Sequence, residues 1–314
     1  MREQEYPTKP VRMIEPFGAA GGVDVIARTI CQMLSEIWGQ IVTVENRPGT
    51  GSTEAPALVA KSQPDGYTLL VSTSAQAYSA VFLKNLPYDP LKDFIPVAPL
   101  TSQPYVLVSG KSSCIATVAE LIAKATATPG QLRFGSAGVG TGSYVGVEKF
   151  NMEAEIKAEH VPPKQGDAIT DVIANTVAGR SDYMIAPIPL ALADIRAGRL
   201  QALGVTTRKR SSLLPEVPTI SEDAVPGFDY PIWYGIWVPS GTAASVVEKL
   251  RNDIARALAA PDLCDQLAKH GADPMSMTQA EFAHFVLRES ESAARIMKAS
   301  GVKTSIKPIS KVAR

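Results

Sequence analysis

The chain has 314 residues, enough for two domains or one large α/β unit with a substantial core. Lys plus Arg number 31 and Asp plus Glu number 31, so the net charge is zero and the basic excess of a nucleic-acid binder is missing. No apolar run approaches the ~18–20 residues that cross a bilayer, so direct membrane insertion is not expected.

Met1-Arg2-Glu3-Gln4-Glu5 has no apolar core and does not read as an export signal. Val11 to Ile14 reads as a strand, and Pro16 to Gly22 as a turn rich in Gly and Ala. Asp24 then opens a helix with Val25, Ile26, Ile30, Met33, Leu34 and Ile37 at helical spacing, closed by Gly39. Ile41 to Glu45 is a strand, Thr53 to Ser62 a helix with Pro56 in its first turn, and Thr68 to Ser72 a strand. This β-α-β-α-β order predicts a parallel sheet flanked by helices.

A second such unit begins with the strand Val106 to Val108. Thr117 and Glu120 have capping-box spacing at the start of a helix that Pro129-Gly130 closes. Leu132 to Gly135 is a strand, Ser136 to Ser143 a second glycine-rich turn, and a helix follows. His160-Val161-Pro162 follows a strand, Asp167 to Val177 is an amphipathic helix, and Asp182 to Ala186 and Gln201 to Thr206 are strands. Ile232 to Val238 is strand-like, and Ser245 to Ala259 and Gln279 to Ala299 are long helices. No low-complexity linker separates the units, so the second is expected as an insertion in the first, with strands crossing between them.

Two segments share one design, a strand, a glycine-rich turn and a helix. They are Pro16-Phe17-Gly18-Ala19-Ala20-Gly21-Gly22-Val23-Asp24 and Gly135-Ser136-Ala137-Gly138-Val139-Gly140-Thr141-Gly142-Ser143. A helix N-terminus offers free N–H groups and a partial positive charge, and small residues let an anionic oxygen approach them. Two such turns across a cleft would clamp a carboxylate without Arg or Lys; taken singly, each also reads as an ordinary tight turn. Nucleotide motifs fail: Gly135 to Gly140 has Walker spacing, but Thr141 stands where Lys is required, and Ser143 stands where the dinucleotide pattern needs its third glycine. No cofactor is expected.

The His residues number 3 and the Cys residues 3, and neither set has metal-ligand spacing. His270 and His284 read as surface residues, and His160 as a structural or pocket-lining one. Cys31 and Cys264 fall on helices, Cys114 in a loop, and one bridge among them stays open. Trp237 reads as core. Tyr78 and Tyr144 follow turns from which a ring or hydroxyl meets a ligand, and Trp233 joins them as a candidate.

The order of several stretches resembles one family over most of the chain. They include Tyr6-Pro-Thr-Lys-Pro-Val-Arg12, Pro16-Phe17 with Gly21-Gly-Val-Asp-Val-Ile-Ala-Arg28, Val44-Glu-Asn-Arg-Pro-Gly49 and Pro64-Asp-Gly-Tyr-Thr-Leu-Leu70. They continue with Leu86-Pro-Tyr-Asp-Pro90, Pro129-Gly-Gln-Leu-Arg-Phe-Gly-Ser-Ala-Gly138, Ala197-Gly-Arg-Leu-Gln-Ala-Leu-Gly-Val-Thr206 and Leu214-Pro-Glu-Val-Pro-Thr219. Together these resemble the Bug (TctC-like) periplasmic solute receptors of tripartite tricarboxylate transporters. The resemblance implies an α/β, two-lobed periplasmic binding protein fold of type II-like form, each lobe a mostly parallel sheet flanked by helices, with a hinge between them. The lobes would be residues 1–105 with 225–314, and residues 106–224. It implies a non-enzymatic monomer, exported to the periplasm, its export signal missing ahead of Met1. Such a receptor holds a small carboxylate and docks transiently on membrane transporter subunits. Carried over by position, the site is Phe17, Gly18, Ala19, Ala20 and Asp24, the turn Ser72-Thr73-Ser74 with Tyr78, and Ser136, Ala137, Gly138, Thr141, Ser143 and Tyr144. Pro162, Ala186, Pro187 and Trp233 complete it.

The chain departs from the family pattern at informative places. Ala186 replaces a frequent Asp, which speaks against an amino acid ligand. Pro163 replaces a Tyr, Tyr144 a His, and Glu15 an apolar residue ahead of the first turn. Glu15 either reaches the cleft, where it repels an anion, or is a charge at a strand end. The leading reading is a receptor for a mono- or dicarboxylate, aromatic or aliphatic. Its rivals are a sensor of the same fold and a hydrolase using Ser136 or Ser143 with His160.

Overall fold

The structure, a computed structural model, describes residues 6–19, 22–49, 52–83, 85–164 and 169–301. The first unit runs β1 (Val11–Glu15), α1 (Gly22–Trp38), β2 (Val42–Asn46), α2 (Glu54–Ala60), β3 (Thr68–Thr73) and α3 (Ala75–Phe82). A long strand, β4 (Phe94–Gly110), leads to α4 (Val118–Ala127), β5 (Arg133–Gly135), α5 (Gly142–Glu153), β6 (Glu159–Val161), α6 (Ile169–Val177), β7 (Tyr183–Pro187), α7 (Ile188–Arg196) and β8 (Leu200–Val205). The chain then forms α8 (Ile220–Asp223), β9 (Pro231–Pro239), α9 (Ala244–Leu258), α10 (Pro261–Lys269), β10 (Asp273–Pro274) and α11 (Gln279–Ser300).

The periodic segments fold as their patterns require. In α1 the buried residues Val23, Ile26, Ala27, Ile30 and Leu34 lie on one face, and Gly39 ends the helix at φ +61°. β1 pairs in parallel with both β2 and β3, so the expected βαβ units are present. Thr117 caps α4 by accepting from the Glu120 amide at 3.1 Å, while the Glu120 carboxylate reaches the Ala116 amide, one residue short of a reciprocal box. The start of the helix expected at Asp167 lies outside the described residues. His160 is found inside β6 rather than after it.

β4 is the main departure. The sequence marks only Val106 to Val108, because Pro96, Pro99 and Pro104 cannot donate to a ladder. The strand passes them by register shifts between Pro96 and Ala98 and between Pro99 and Ser102. Its first part pairs antiparallel with β9 and its last part antiparallel with β7 and β8. The strand order is β2-β1-β3-β9-β4-β7-β5-β6, with β8 and β10 pairing with β4 off that path. The parallel pairing expected in each lobe therefore holds within the βαβ units, while the crossing strands β4 and β9 run antiparallel. Where β4 changes partners, Thr206 ties three segments together: Tyr105 donates its amide to Thr206 Oγ1 at 2.9 Å, and Thr206 Oγ1 donates to Tyr230 O at 2.6 Å.

Alternation along β4 separates two cores. Val106 and Val108 face one hydrophobic cluster with Met184, Ala186 and Val205, while Tyr105 and Leu107 face the main cluster. Cys31, Cys114 and Cys264 are all free thiols, so the possible bridge does not form. No helix of the described residues is long and apolar enough to cross a membrane.

Candidate functional site

The first glycine-rich turn leaves β1 at Glu15, whose side chain is fully buried. Its carboxyl accepts the Phe17 amide at 2.8 Å and is bonded by the Asn46 side-chain amide. The same Asn46 nitrogen donates to Asp24 Oδ1 at 2.9 Å, and Arg28 Nε donates to both Asp24 oxygens, at 3.0 and 2.9 Å. Burial raises the Glu15 carboxyl to about 7, against the pull of the Phe17 and Asn46 bonds. Glu15 thus turns neither outward nor away: it braces the base of the turn. Phe17 is half-buried against the core, Gly18 and Ala19 are exposed, and Ala20 lies outside the described residues.

Parallel pairing of β1 with β3 brings the carboxyl ends of both strands to one sheet edge, the usual ligand edge of an α/β sheet. There the Ser72-Thr73-Ser74 turn opens α3. Thr73 Oγ1 accepts the Ala75 amide at 3.1 Å, and the Ser74 amide donates to Trp233 O at 3.0 Å. Ser74 Oγ is buried, near the Tyr78 hydroxyl, and makes no hydrogen bond of good geometry within the protein. It lies 3.8 Å from where a Cβ on Gly142 would stand, so the first turn of α5 approaches this edge.

The second turn is tied together by its own hydroxyls. Ser143 Oγ accepts the Ala137 amide at 3.0 Å, Ser136 Oγ accepts the Gly138 amide at 3.1 Å, and Thr141 Oγ1 donates to Gly138 O at 2.7 Å. Gly138 and Gly140 hold φ of +113° and +86°, a region closed to most side chains. The amides of Ala137, Gly138 and Tyr144 are therefore engaged within the turn, and among the described residues those of Gly142 and Ser143 remain as first-turn donors of α5. Tyr230 Oη donates to Gly142 O at 2.9 Å, and the Tyr105 hydroxyl lies 2.3 Å from the Gly142 Cβ position.

Ser136 and His160, the pair of the hydrolase reading, do meet, at 2.8 Å between Oγ and Nε2. The imidazole stacks on Phe134 at 5.0 Å between centroids, and burial lowers it to about 4. Ser136 is fully buried, which suits a brace rather than a nucleophile. The neutral ring carries a stability consequence. Between about pH 4 and pH 6.5 the unfolded chain binds a proton that folded His160 refuses, so stability falls as pH drops through that window. Urea unfolding at pH 7 and pH 5 is expected to show a smaller acid loss for His160→Gln than for the parent; equal losses contradict this.

Several expected site residues sit elsewhere. Trp233 is fully buried against Trp237, Phe282 and Phe285, and its Nε1 donates to Glu289 at 3.0 Å. Tyr78 donates to the same carboxylate oxygen at 3.1 Å and is 2% exposed. The Tyr144 ring is fully buried, edge-on to Phe82 and His160. Ala186 belongs to the second core, and Pro187 is the N-cap of α7. Pro162 is exposed, and it is Pro163 that approaches the second turn, 3.8 Å from the Gly138 Cβ position.

Tyr234, next to Trp233 on β9, is also buried, in the same main cluster. Neighbours on a strand face opposite ways, so its ring lies on the other face of β9. Its hydroxyl lies 2.9 Å from the Gly22 Cβ position, over the start of α1, and donates to Gln103 Oε1 at 2.7 Å.

A family match, to the tripartite tricarboxylate transporter family receptor (TctC), spans residues 26–302. The chain belongs to this family. It is 32% identical to Protein BugT of Bordetella pertussis over 95% of this chain and 91% of that one. It is 38% identical to a protein from the tcbD-tcbE intergenic region of Pseudomonas sp. strain P51, over 86% of this chain and 80% of the relative. Among solved structures it resembles R. palustris Rpa4515 with adipate, at a TM-score of 0.85 and 30% identity, covering 95% and 99% of the two chains. It also resembles MatC from Rhodopseudomonas palustris with bound malate, at a TM-score of 0.80 and 29% identity, covering 93% and 99%. The receptor therefore has the two-lobed periplasmic binding protein fold and is a solute-binding protein, not a hydrolase.

Proposed function

We propose that this receptor binds a small aliphatic mono- or dicarboxylate between lobes comprising residues 1–105 with 225–314 and residues 106–224, and delivers it to a tripartite tricarboxylate transporter at the periplasmic face of the membrane. The observation that carries the reading is the buried Ser74 hydroxyl, without a hydrogen bond of good geometry, between the carboxyl edge of β3 and the first turn of α5. The first turn of α5, which approaches it at Gly142, carries the amides of Gly142 and Ser143, donors suited to an anionic oxygen without a cationic side chain. Adipate and malate in the similar structures have that chemistry. The rings that suggested an aromatic ligand, Tyr78, Tyr144 and Trp233, are each committed to packing, which favours an aliphatic chain.

Native mass spectrometry of the purified protein, followed by calorimetry with adipate, malate and benzoate, tests the proposal. Saturable binding of adipate or malate with one ligand per chain is the expected result. A folded protein that binds none of them, or prefers benzoate, contradicts it. Ser74→Ala is expected to weaken dicarboxylate binding by about tenfold, the cost of one hydrogen bond to a charged group; unchanged affinity removes Ser74 from the site.

A further inference from the structure

Gly142 and Gly146 stand one turn apart on α5, and neither adopts a positive φ. Glycine inside a helix weakens it, and here a close approach explains its presence. A Cβ at position 146 would stand 2.6 Å from Tyr230 Cε1 and 2.9 Å from Cδ1. The Tyr230 ring therefore lies against the backbone of α5. Its hydroxyl reaches back one turn and donates to Gly142 O at 2.9 Å. A carbonyl has two lone pairs, so this bond leaves the helical one in place. The Tyr78 hydroxyl lies close by, but its own proton goes to Glu289 at 3.1 Å. Burial holds the Tyr230 hydroxyl well above the usual phenol range, so it keeps its proton and donates it.

The ring is held from outside α5. It stacks on Tyr105 at 5.9 Å and 16°. Its main chain is tied at both ends to Thr206: the Tyr230 amide donates to Thr206 O at 2.8 Å, and Tyr230 O accepts Thr206 Oγ1 at 2.6 Å. Three residues further on, the Trp233 carbonyl accepts the Ser74 amide at 3.0 Å. One short stretch of chain thus grips both sides of the proposed site, the Ser74 turn by main chain and the first turn of α5 by a side chain. The peptide it grips is the one that carries a free donor. The Gly142 carbonyl and the Ser143 N–H belong to one planar trans unit and point opposite ways. Among the described residues, nothing accepts from that N–H. Fixing the carbonyl aims the N–H, and a bond accepted by the carbonyl polarises the peptide and strengthens the N–H as a donor. We infer that Tyr230 is a positioning residue of the carboxylate site: by holding the Gly142 carbonyl, its hydroxyl aims and strengthens the Ser143 amide that receives the ligand oxygen. The inference rests on the carboxylate reading above.

The test is Tyr230→Phe, which keeps the ring in its place between Tyr105 and Gly146 and removes only the bond to Gly142 O. Calorimetry of the whole chain with adipate and with malate is expected to show affinity about three- to tenfold below the parent, the range of one lost hydrogen bond. NMR of the same variant without ligand is expected to show the Gly142 carbonyl carbon and the Ser143 amide nitrogen moved upfield, as loss of a bond at that carbonyl requires. Tyr105→Phe is the control. It removes a hydroxyl from the other ring of the stack, one that donates to no main-chain group, and is expected to bind as the parent does. In the unaltered protein, saturation with adipate should move the Ser143 amide proton downfield, a readout that needs no variant to fold. Unchanged affinity in Tyr230→Phe overturns the positioning role alone. So does an affinity loss with the Gly142 and Ser143 signals unmoved, an equal loss in Tyr105→Phe, or a Ser143 amide proton that ignores bound adipate. Absence of binding by both adipate and malate to the parent overturns the receptor reading and the positioning role with it.

Discussion

Gly142→Ala is expected to weaken dicarboxylate binding by more than tenfold, and Tyr105→Phe in the same chain is expected to restore much of the loss. A Cβ at position 142 would stand 2.3 Å from the Tyr105 hydroxyl. That ring does not swing away freely: it stacks on Tyr230 at 5.9 Å and 16°, and Tyr230 donates to the Gly142 carbonyl. The substitution therefore displaces the first turn of α5, which carries the proposed donors, and adds a packing cost of about 1–3 kcal/mol. Removing the hydroxyl leaves the Tyr105 ring carbon 3.3 Å away as the next contact, which a small shift relieves. Calorimetry on the two single variants and the double variant forms a cycle that isolates the clash. Undiminished binding by Gly142→Ala contradicts the placement of the site at α5.

How much of this was legible in the sequence depends on how locally each feature is determined. α1, α9 and α11 follow from apolar spacing, and the glycines that close or shape turns follow from the left-handed backbone they adopt, as at Gly39 and Gly138. β4 resisted because its prolines forbid a regular ladder, and only the pairing with β9 reveals how register shifts accommodate them. Glu15 resisted for a different reason. Its position at a strand end is plain, but its partners Asn46, Asp24 and Arg28 come from β2 and α1 and converge only in the fold. The same holds for the second turn: Ser136, Thr141 and Ser143 read as ligand groups by position, yet their hydroxyls hold the turn itself. Sequence located the turns; the hydrogen bonds decide which of their donors are left for a ligand.

Trp233 gives the sharpest contrast between the two kinds of evidence, and Trp233→Ala is expected to cost stability rather than affinity. The ring lies in T-shaped contact with Phe282 and Phe285 at 5.8 and 5.0 Å and tilted on Trp237 at 6.0 Å. Emptying such a site typically costs about 3–5 kcal/mol, visible as a lowered urea midpoint. Glu289 would lose the indole donor and keep Tyr78 at 3.1 Å, which adds to the loss. The link from this strand to the site is made by main chain, the Ser74 amide on the Trp233 carbonyl, and side-chain truncation leaves it in place. Dicarboxylate affinity measured well below the unfolding transition should therefore stay within about threefold of the parent, while Trp233→Phe, which keeps most of the packing and removes only the N–H, should cost about 1–2 kcal/mol. A large affinity loss in Trp233→Phe with little change in stability would return this ring to the ligand wall and move the site to the α11 side of β9.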